Sequence, residues 1–510
     1  MKLNKYFFIP LILFISCVDD KSQIQNDTEN LSPVNNSIVQ DSLSNKKNES
    51  IDLVLPIDSF FTEVDTNFAA DQLILPENFK TKILFSQTID SVVRKDGLKF
   101  PAKGNHDMIA YIPIDGSSKH GWLYVSHETH GADLNLGDGG GATVFQVKYE
   151  KDKWNVISEY FHIDFSTVGS TDRNCGGVLG PNGLVYTCEE YQPNNNTELY
   201  RQGLGHRDTS DFGELKKWEN IGYVVEVDPF GKKATQKMYQ WGRYYHEDLE
   251  FMDDGKTIYL TDDNDPAVFF KFVAHQKGNY SEGQLYAFKE GINTKKGTWL
   301  TLPMDMQSLI KARDVAISMG ATMYVRHEWL ARDGHILYIA ETGSDNMLWD
   351  TFINNGGNPA HYLKQQDYHG RILKFNTQTD EMNNWLECGK GTDGKTVLSN
   401  PDCIEIARLG GKKYLIIHED IIGYTQDRVP KENHKIWRAI NEMYFVDLEL
   451  EKPTVDDAVR FIVAPQRSEM TGGVFTPDGE TFFVNIQHPG AMNKPPYNYS
   501  STVAITGWKK

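Results

Sequence analysis

Six times along the chain a glycine-containing turn is followed by a short apolar strand that ends on polar or acidic side chains. The segments are "HGWLYVSHE", "NGLVYTCEE", "DGKTIYLTDDN", "DGHILYIAET", "GGKKYLIIHED" and "DGETFFVNIQH". Their glycines, Gly121, Gly183, Gly255, Gly334, Gly411 and Gly479, lie 62, 72, 79, 77 and 68 residues apart. Asp-Gly and Asn-Gly starts are hairpin signals, because those residues tolerate the positive φ of a tight turn. Hairpins at a near-regular interval suggest equivalent sheets set around one axis. Other strand-like runs recur between them, "IGYVVEVDPFGK", "VFFKFVA", "HGRILKFN" and "MYFVDLELE", while amphipathic helical patterns are few. The spacing predicts an all-β fold, a single six-bladed β-propeller over residues 56–510 with loop insertions. Its blades are longer than the usual ~40 to 50 residues. Two unrelated β-sandwiches are the alternative architecture.

The first residues point outside the cytoplasm. Lys2 and Lys5 precede the apolar run "YFFIPLILFIS", which stops at Cys17 and is too short to span a bilayer. Ser16 directly before the cysteine resembles the lipobox of bacterial lipoproteins, which implies a signal over residues 1–17 and an outer-membrane lipid on Cys17. Residues 18–55 are rich in Asn, Ser and Asp and nearly without aromatics, so they read as a disordered tether that cannot bury a core. The expected location is the periplasm or the cell surface. The alternative is simple secretion after cleavage.

The formal charge of -18 argues against nucleic acid as a partner, since a phosphate backbone needs a basic face. An acidic excess suits solubility or bound cations. With Cys17 assigned to the anchor, Cys175, Cys188, Cys388 and Cys403 remain. Four thiols in an oxidising compartment allow three pairings, and one of them could be a ligand instead.

In a propeller the equivalent strand ends converge on one face. Here they carry His127 and Glu128, Glu189 and Glu190, Asp262 and Asp263, Glu341, then His418, Glu419 and Asp420, then Gln487 and His488. Carboxylates so crowded repel unless cations or protons intervene. For any one pair the alternative is a solvated strand end. Three further segments add chemistry. "TDRNCGG" sets Cys175 before an expected Gly176-Gly177 turn, "GRYYHEDLEF" sets His246 and Glu247 one strand before Asp262 and Asp263, and "MYVRHEWL" sets Arg326 and Glu328 two apart. Oxygen ligands suit Ca²⁺, whereas a thiolate among them favours a softer or redox-active metal. An arginine beside metal-bound carboxylates is a phosphate fork, the alternative being a structural ion pair with Glu328. Cys188, facing away from Glu189, reads as a small hydrophobe. His106, His127 and His246 read as hydrogen-bonding neighbours of ligands rather than ligands. No "GxSxG" string is present, and "GDGGGAT" lacks the lysine and helix of a phosphate loop.

These strings bring the chain close to a known family. "GNHDMIAYIP", "LYVSHE", "RNCGG", "GPNGLVYTCEE", "GRYYHEDLEF", "IYLTDD", "VRHE", "HGRILKF", "NPDC" and "TGGVFTPDGETFFVNIQHPG" stand in the order found in PhoX-type alkaline phosphatases, from about residue 70 to 490. The chain resembles that family. The resemblance implies a six-bladed propeller whose axial site holds Fe³⁺ and Ca²⁺ and hydrolyses phosphomonoesters outside the cytoplasm. By motif, Cys175 corresponds to the iron-ligating thiolate, and Glu190, Glu247, Asp263, Glu328 and Asp402 to acidic metal ligands. Asn105 and Arg326 correspond to residues that contact the phosphate or complete the cluster. "TDD" stands where the family usually has "TED", the "NCAGG" region is a residue shorter, and Cys403 stands where an Asn is usual. Cys403 is thereby open between a substitute ligand and a disulfide partner of Cys388.

The expected partner is a small-molecule phosphate ester, and the expected state a monomer. Two rival functions use the same acidic ring. A calcium-dependent lactonase or esterase on a propeller would leave Cys175 without a task. A non-catalytic surface propeller would hold structural calcium and bind a partner through its loop insertions.

Overall fold

In the computed structural model, which describes residues 55–291, 296–343, 369–420 and 440–508, each repeated segment forms the second strand of a sheet. The signal and lipobox, including Cys17, and all but the last residue of the tether lie outside the described residues. Five of the six turn glycines, from Gly183 to Gly479, have positive φ; Gly334 and Gly411 lie in two-residue turns, and the other three in longer ones. Gly121 instead begins its strand, where a side chain would strike the Tyr111 ring.

Six sheets of four or more strands follow one another along the described chain. Their first strands are His106–Pro113, Asn174–Leu179, His246–Phe251, His327–Asp333, Pro401–Leu409 and Glu469–Phe475. The paired second strands are His120–His127, Val185–Glu189, Thr257–Asp262, Ile336–Glu341, Lys412–Glu419 and Thr481–Gln487, all antiparallel to the first. The first strands touch one another in chain order, and the last touches the first. The sheets are the blades of a β-propeller. The ring is closed by the two ends of the folded body. Lys80–Ser86 supplies the outermost strand of the last sheet by pairing with Ser501–Thr506. Only three short α-helices occur among the described residues, Asn196–Tyr200, Met306–Leu309 and Ala312–Ser318.

Aromatic side chains fill the spaces between neighbouring sheets. Tyr186 lies 5.8 Å from Trp241 and 4.9 Å from Phe251, joining the second sheet to the third. Phe461 lies 4.7 Å from Trp508, which in turn meets Phe445 and Phe482 between the fifth sheet and the last. Each such pair adds about 0.5–1.5 kcal/mol to the burial of its rings. Nearer the axis there is no room for side chains between first strands. A Cβ on Gly176 would come within 2.2 Å of the Glu247 carbonyl, and one on Gly472 within 2.0 Å of the Asp107 carbonyl. The glycines of "NCGG" and "MTGG" are therefore packing requirements of the hub. Cys175 to Gly177 lie inside the strand Asn174–Leu179, so the expected Gly176-Gly177 turn is not formed.

Candidate active site on the propeller axis

The axial face of the hub opens into a cavity of about 420 Å³. All eight residues singled out from the sequence, Asn105, Cys175, Glu190, Glu247, Asp263, Arg326, Glu328 and Asp402, line it. Asp107, Glu128, His130, Arg173, Asp420, Glu469, Gln487 and His488 complete the lining.

The first strands and the residues just before them deliver nine of these sixteen, by a repeated local structure. Asn105, Arg173, Arg326, Asn400 and Arg467 all have positive φ, between 40° and 63°, a conformation that costs a non-glycine residue ~1–3 kcal/mol. Two residues after each stands Asp107, Cys175, Glu328, Asp402 or Glu469, and Glu247 takes the matching place in the third sheet. In five sheets the ladder register slips around this residue, as between His246 and Leu249 opposite Asp262 and Leu260. Such a bulge re-aims a side chain. Here it accompanies the turn of Asp107, Cys175, Glu247, Glu328 and Asp402 toward the axis.

The second strands contribute Glu128, Glu190, Asp263, Asp420, Gln487 and His488. Adjacent strand residues face opposite ways, and the other expected strand-end residues do not line the cavity. Glu189 accepts from the Gly222 and Tyr223 amides at 2.9 and 3.1 Å and from Lys237 Nζ at 2.7 Å. Glu341 accepts from Val325 N at 2.9 Å, Glu419 from Ser399 N at 2.8 Å and Glu442 N at 2.9 Å, and Asp262 from Val268 N at 3.1 Å. These four are fastenings between strands. The expected convergence thus holds for one member of each acidic pair and fails for the other.

His106, His127 and His246 are fully buried beside the hub and hydrogen-bond to the Lys103, Gly104 and Gly242 carbonyls. Burial pushes the pKa of His106 and His246 down to about 3, so both rings are neutral. None of the three lines the cavity.

Within the cavity nine carboxylates face two arginines. One ligand atom each from Glu190, Glu247 and Asp263 lies within 4.8 Å of the other two, as does one each from Glu247, Glu328 and Asp402. Asp420, Glu469 and His488 form a third such group. Two unit charges ~5 Å apart at an effective dielectric of about 20 repel by roughly 3 kcal/mol. Burial first, and then these neighbours, push Asp107, Glu190, Glu247, Glu328, Asp402 and Glu469 well above the ordinary carboxylate range. Burial, followed by Glu247, likewise raises the Cys175 thiol, which stands 3.2 Å from the His246 carbonyl oxygen. Such crowding favours a bound proton or a neighbouring cation.

Arg326 is gripped from two sides. Its Nε and Nη2 donate to Asp263 at 2.8 and 3.2 Å, and Nη2 stands 2.8 Å from Glu328 Oε1. Burial opposes its charge, but Asp263 and Glu328 outweigh burial and hold its pKa above the ordinary value. The ion pair with Glu328 is real, and Arg326 still lines the cavity with 22% of its side chain exposed. Arg173 lies across from it, 3.9 Å from Glu190 and over the Tyr191 ring. His130 donates through Nδ1 to Asp172, which also accepts from His206 Nε2 at 2.8 Å. Burial would raise the Asp172 pKa, but these two hydrogen bonds prevail and lower it.

The alkaline phosphatase PhoX family model matches residues 152–490. The chain belongs to the PhoX family. It is an alkaline phosphatase of that family, a phosphoric monoester hydrolase. A solved structure of Pseudomonas fluorescens PhoX with vanadate, a transition state analogue, has the same fold, with a TM-score of 0.67 and 21% identity. The match covers 88% of this chain and 99% of that one. More distant are a Dyadobacter fermentans protein of unknown function, at TM-score 0.42 and 8% identity over 84% of this chain and 99% of that one, and a Trichoderma reesei carbohydrate-active enzyme of family AA12. The latter has a TM-score of 0.41 and 9% identity over 87% of this chain and 100% of that one. None of the curated proteins matches.

Asp107, His130, Arg173 and Glu469 are the lining residues that the sequence reading did not single out. A signal for two of them exists in the strand starts "NHD", "RNC", "YHE", "RHE", "NPD" and "RSE", where the third position is always an acid or a cysteine. That repeat contains Asp107 and Glu469. Arg173 opens one of these strings, at a position filled by Asn, Arg or Tyr, and His130 has no comparable pattern.

Proposed function

We propose that this PhoX-family phosphatase is a six-bladed, lipid-anchored extracytoplasmic enzyme that hydrolyses phosphomonoesters at the axial cavity with Fe³⁺ and Ca²⁺. The observation that carries the reading is the donor set itself: nine carboxylates, one thiol and two arginines around one cavity. Protons alone would leave Arg326 and Arg173 among neutral acids, whereas multivalent cations satisfy the carboxylates as anions. The two overlapping carboxylate triads that share Glu247 suit hard cations, and Cys175 adds the soft ligand expected of iron. Bound there by Cys175, Glu190, Glu247, Asp263, Glu328 and Asp402, the ions supply Lewis-acid charge for phosphate oxygens.

The chain's own part is positioning. Arg326 offers a guanidinium fork, and because Asp263 and Glu328 hold it from two sides, little side-chain freedom is lost when a phosphate arrives. Asn105 lines the same cavity from the first sheet, its amide donating to the Glu128 carbonyl at 3.3 Å. Preorganised donors of this kind favour the charge that builds on phosphorus-bound oxygens in the transition state. Vanadate in the Pseudomonas fluorescens structure supports a phosphoryl-transfer centre on this fold. Lys2, Lys5, the apolar leader and Cys17 support outer-membrane anchoring.

The test is to purify the full chain and measure iron and calcium content together with hydrolysis of a chromogenic phosphomonoester, before and after exhaustive chelation. Iron with calcium, and activity lost on chelation, is the expected result. Full activity after chelation, or calcium alone with no phosphate released, overturns the proposal. Anchoring is read separately: Cys17→Ser should move the protein from the membrane to the soluble fraction.

A further inference from the structure

Behind the wall of the cavity, between the fifth sheet and the last, lies a second group of ligating side chains. We infer that Cys403, Glu405 and His418 form a cation site separate from the axial one, suited to a zinc-type divalent ion held by thiolate, carboxylate and imidazole. None of the three lines the axial cavity, although Asp402 and Asp420 beside them do. Strand alternation turns Cys403 away from Asp402, and Asp420 lies beyond the end of the strand Lys412–Glu419 that carries His418.

Three observations point to a ligand. One ligand atom from each of the three lies within 4.8 Å of the others, with Cys403 Sγ 3.7 Å from Glu405 Oε2 and His418 Nε2 3.1 Å from Glu405 Oε1. The edges of a tetrahedral site with Zn–S ≈ 2.3 Å and Zn–N or Zn–O ≈ 2.0 Å are about 3.3 to 3.6 Å, close to these separations. Next, the other ring nitrogen of His418, Nδ1, stands 3.0 Å from the Met470 carbonyl oxygen. A carbonyl only accepts, so Nδ1 carries a proton and Nε2 is the ring nitrogen that faces the carboxylate. That contact, with His418 fully buried, calls for a positive charge at Nε2. A metal ion held jointly by both groups supplies it, and an Nδ1 hydrogen bond to a backbone carbonyl is how metal-ligating histidines are oriented.

The third observation is the fit of the last sheet. A Cβ on Gly473 would lie 2.0 Å from Glu405 Oε1, so a glycine is needed where the carboxylate is seated. Cys403 is fully buried and carries no disulfide, while Glu405 keeps 16% of its side chain exposed and leaves a route for the ion. A bound ion would join Pro401–Leu409 and Lys412–Glu419, which carry its ligands, and tie them through His418 and Gly473 to Glu469–Phe475. Its role would be to brace the fifth sheet against the last. The site stands independently of the phosphatase reading.

The test uses the full chain with Cys175→Ala, which removes the cavity thiol, compared with the same chain carrying Cys403→Ser as well. Both are stripped with chelator and titrated with Cd²⁺, reading the ultraviolet thiolate-to-cadmium charge-transfer absorption. The expected result is an absorption component that saturates at one Cd²⁺ and is lost with Cys403→Ser. Glu405→Gln, which keeps the shape of the side chain, should weaken that component's affinity by about tenfold or more in the Cys175→Ala chain. Identical titrations with and without Cys403 overturn the proposal and leave a His418–Glu405 ion pair in its place. Should Cys403→Ser fail to fold, the Glu405→Gln titration decides alone, unchanged affinity being the result that refutes the site.

Discussion

Glu189 and Glu190 are neighbours at the end of one strand, yet they belong to different parts of the molecule. Glu189 is sealed against Lys237 and two backbone amides, its charge fully answered by the fold. Glu190 faces the cavity, where burial and Glu128 push its pKa well up and Arg173, 3.9 Å away, answers it only in part. The same division separates Asp262 from Asp263 and Glu419 from Asp420. One ring of carboxylates holds the blades together, and the ring one residue further on faces the cavity, where the protein answers its charge only in part. The two rings should therefore fail in different ways when altered.

The largest effect is expected in the fastening ring. Glu189→Ala leaves Lys237, whose side chain is fully buried, without its counter-charge and two amides without their acceptor. Removing one partner of a buried pair costs about 3–5 kcal/mol, which should appear as a shifted urea-unfolding midpoint. Glu190→Gln should leave that midpoint nearly unchanged in the chelated protein, because the amide keeps the shape of a carboxyl that burial and Glu128 already bias toward its protonated form, and should lower turnover. Equal losses of stability in the two variants would erase the distinction between the rings.

The next effect is on rate. Arg326→Ala removes the guanidinium held at the cavity by Asp263 and Glu328, and if it serves the phosphate as proposed its loss should cost about 10²–10³ in kcat. Arg326→Lys should recover little, since an ammonium cannot supply the fork that Asp263 and Glu328 hold in place. Near-normal hydrolysis by Arg326→Ala would reduce the residue to an internal ion pair.

A pH series sharpens the comparison further. The cavity acids have native pKa values raised above the ordinary 3.8 and 4.5, so the native state keeps protons that the unfolded chain has released. Stability from such groups is fully present below the ordinary values and declines as pH rises through the raised ones. Chelated protein should thus melt at a lower temperature at pH 8 than at pH 5.5. Saturating Ca²⁺ should reverse or flatten the trend, because cations replace the protons. A melting temperature independent of pH in the chelated protein would mean that the ring is compensated by the protein itself.

Much of this arrangement was legible before the fold. The turn glycines and their intervals located the second strand of each sheet, and those strands do end at the hub. What strand alternation could not tell was which member of each acidic pair faces the axis, since a period of two only says that neighbours diverge. The answer lies in the first strands. Their positive-φ residues and bulges are tertiary features, and Arg173 or Arg326 gives no local hint of a left-handed backbone as a glycine would. Asp107 and Glu469 were missed for the same reason, because attention to strand ends passes over an acid placed at a strand start. Arg326 and Cys175 were reached through residue type, an arginine and a thiol beside crowded carboxylates, with the family resemblance of "VRHE" and "RNCGG" added to it, and not through periodicity. Cys403, the departure from that resemblance, turned out to face Glu405 and His418 rather than the axial cavity.

The smallest predicted effect compares two thiols of one hairpin. Cys175 lies on the first strand, lining the cavity, and Cys188 lies on the second, fully buried among Tyr186, Val224 and Leu249. Their separation is short, Cys175 Sγ standing 3.7 Å from the Cys188 carbonyl oxygen, so a difference in behaviour cannot come from location in the fold at large. Cys188→Ala removes a small apolar group from a packed interior and should cost about 1 kcal/mol while metal content and turnover stay as they were. Cys175→Ala removes a similar volume, but it also takes away the one soft donor among the cavity's oxygens, so iron should fall while calcium is retained. If both variants kept their iron, the thiol would be packing in both places, and the division between fastening and binding residues would rest on the carboxylates alone.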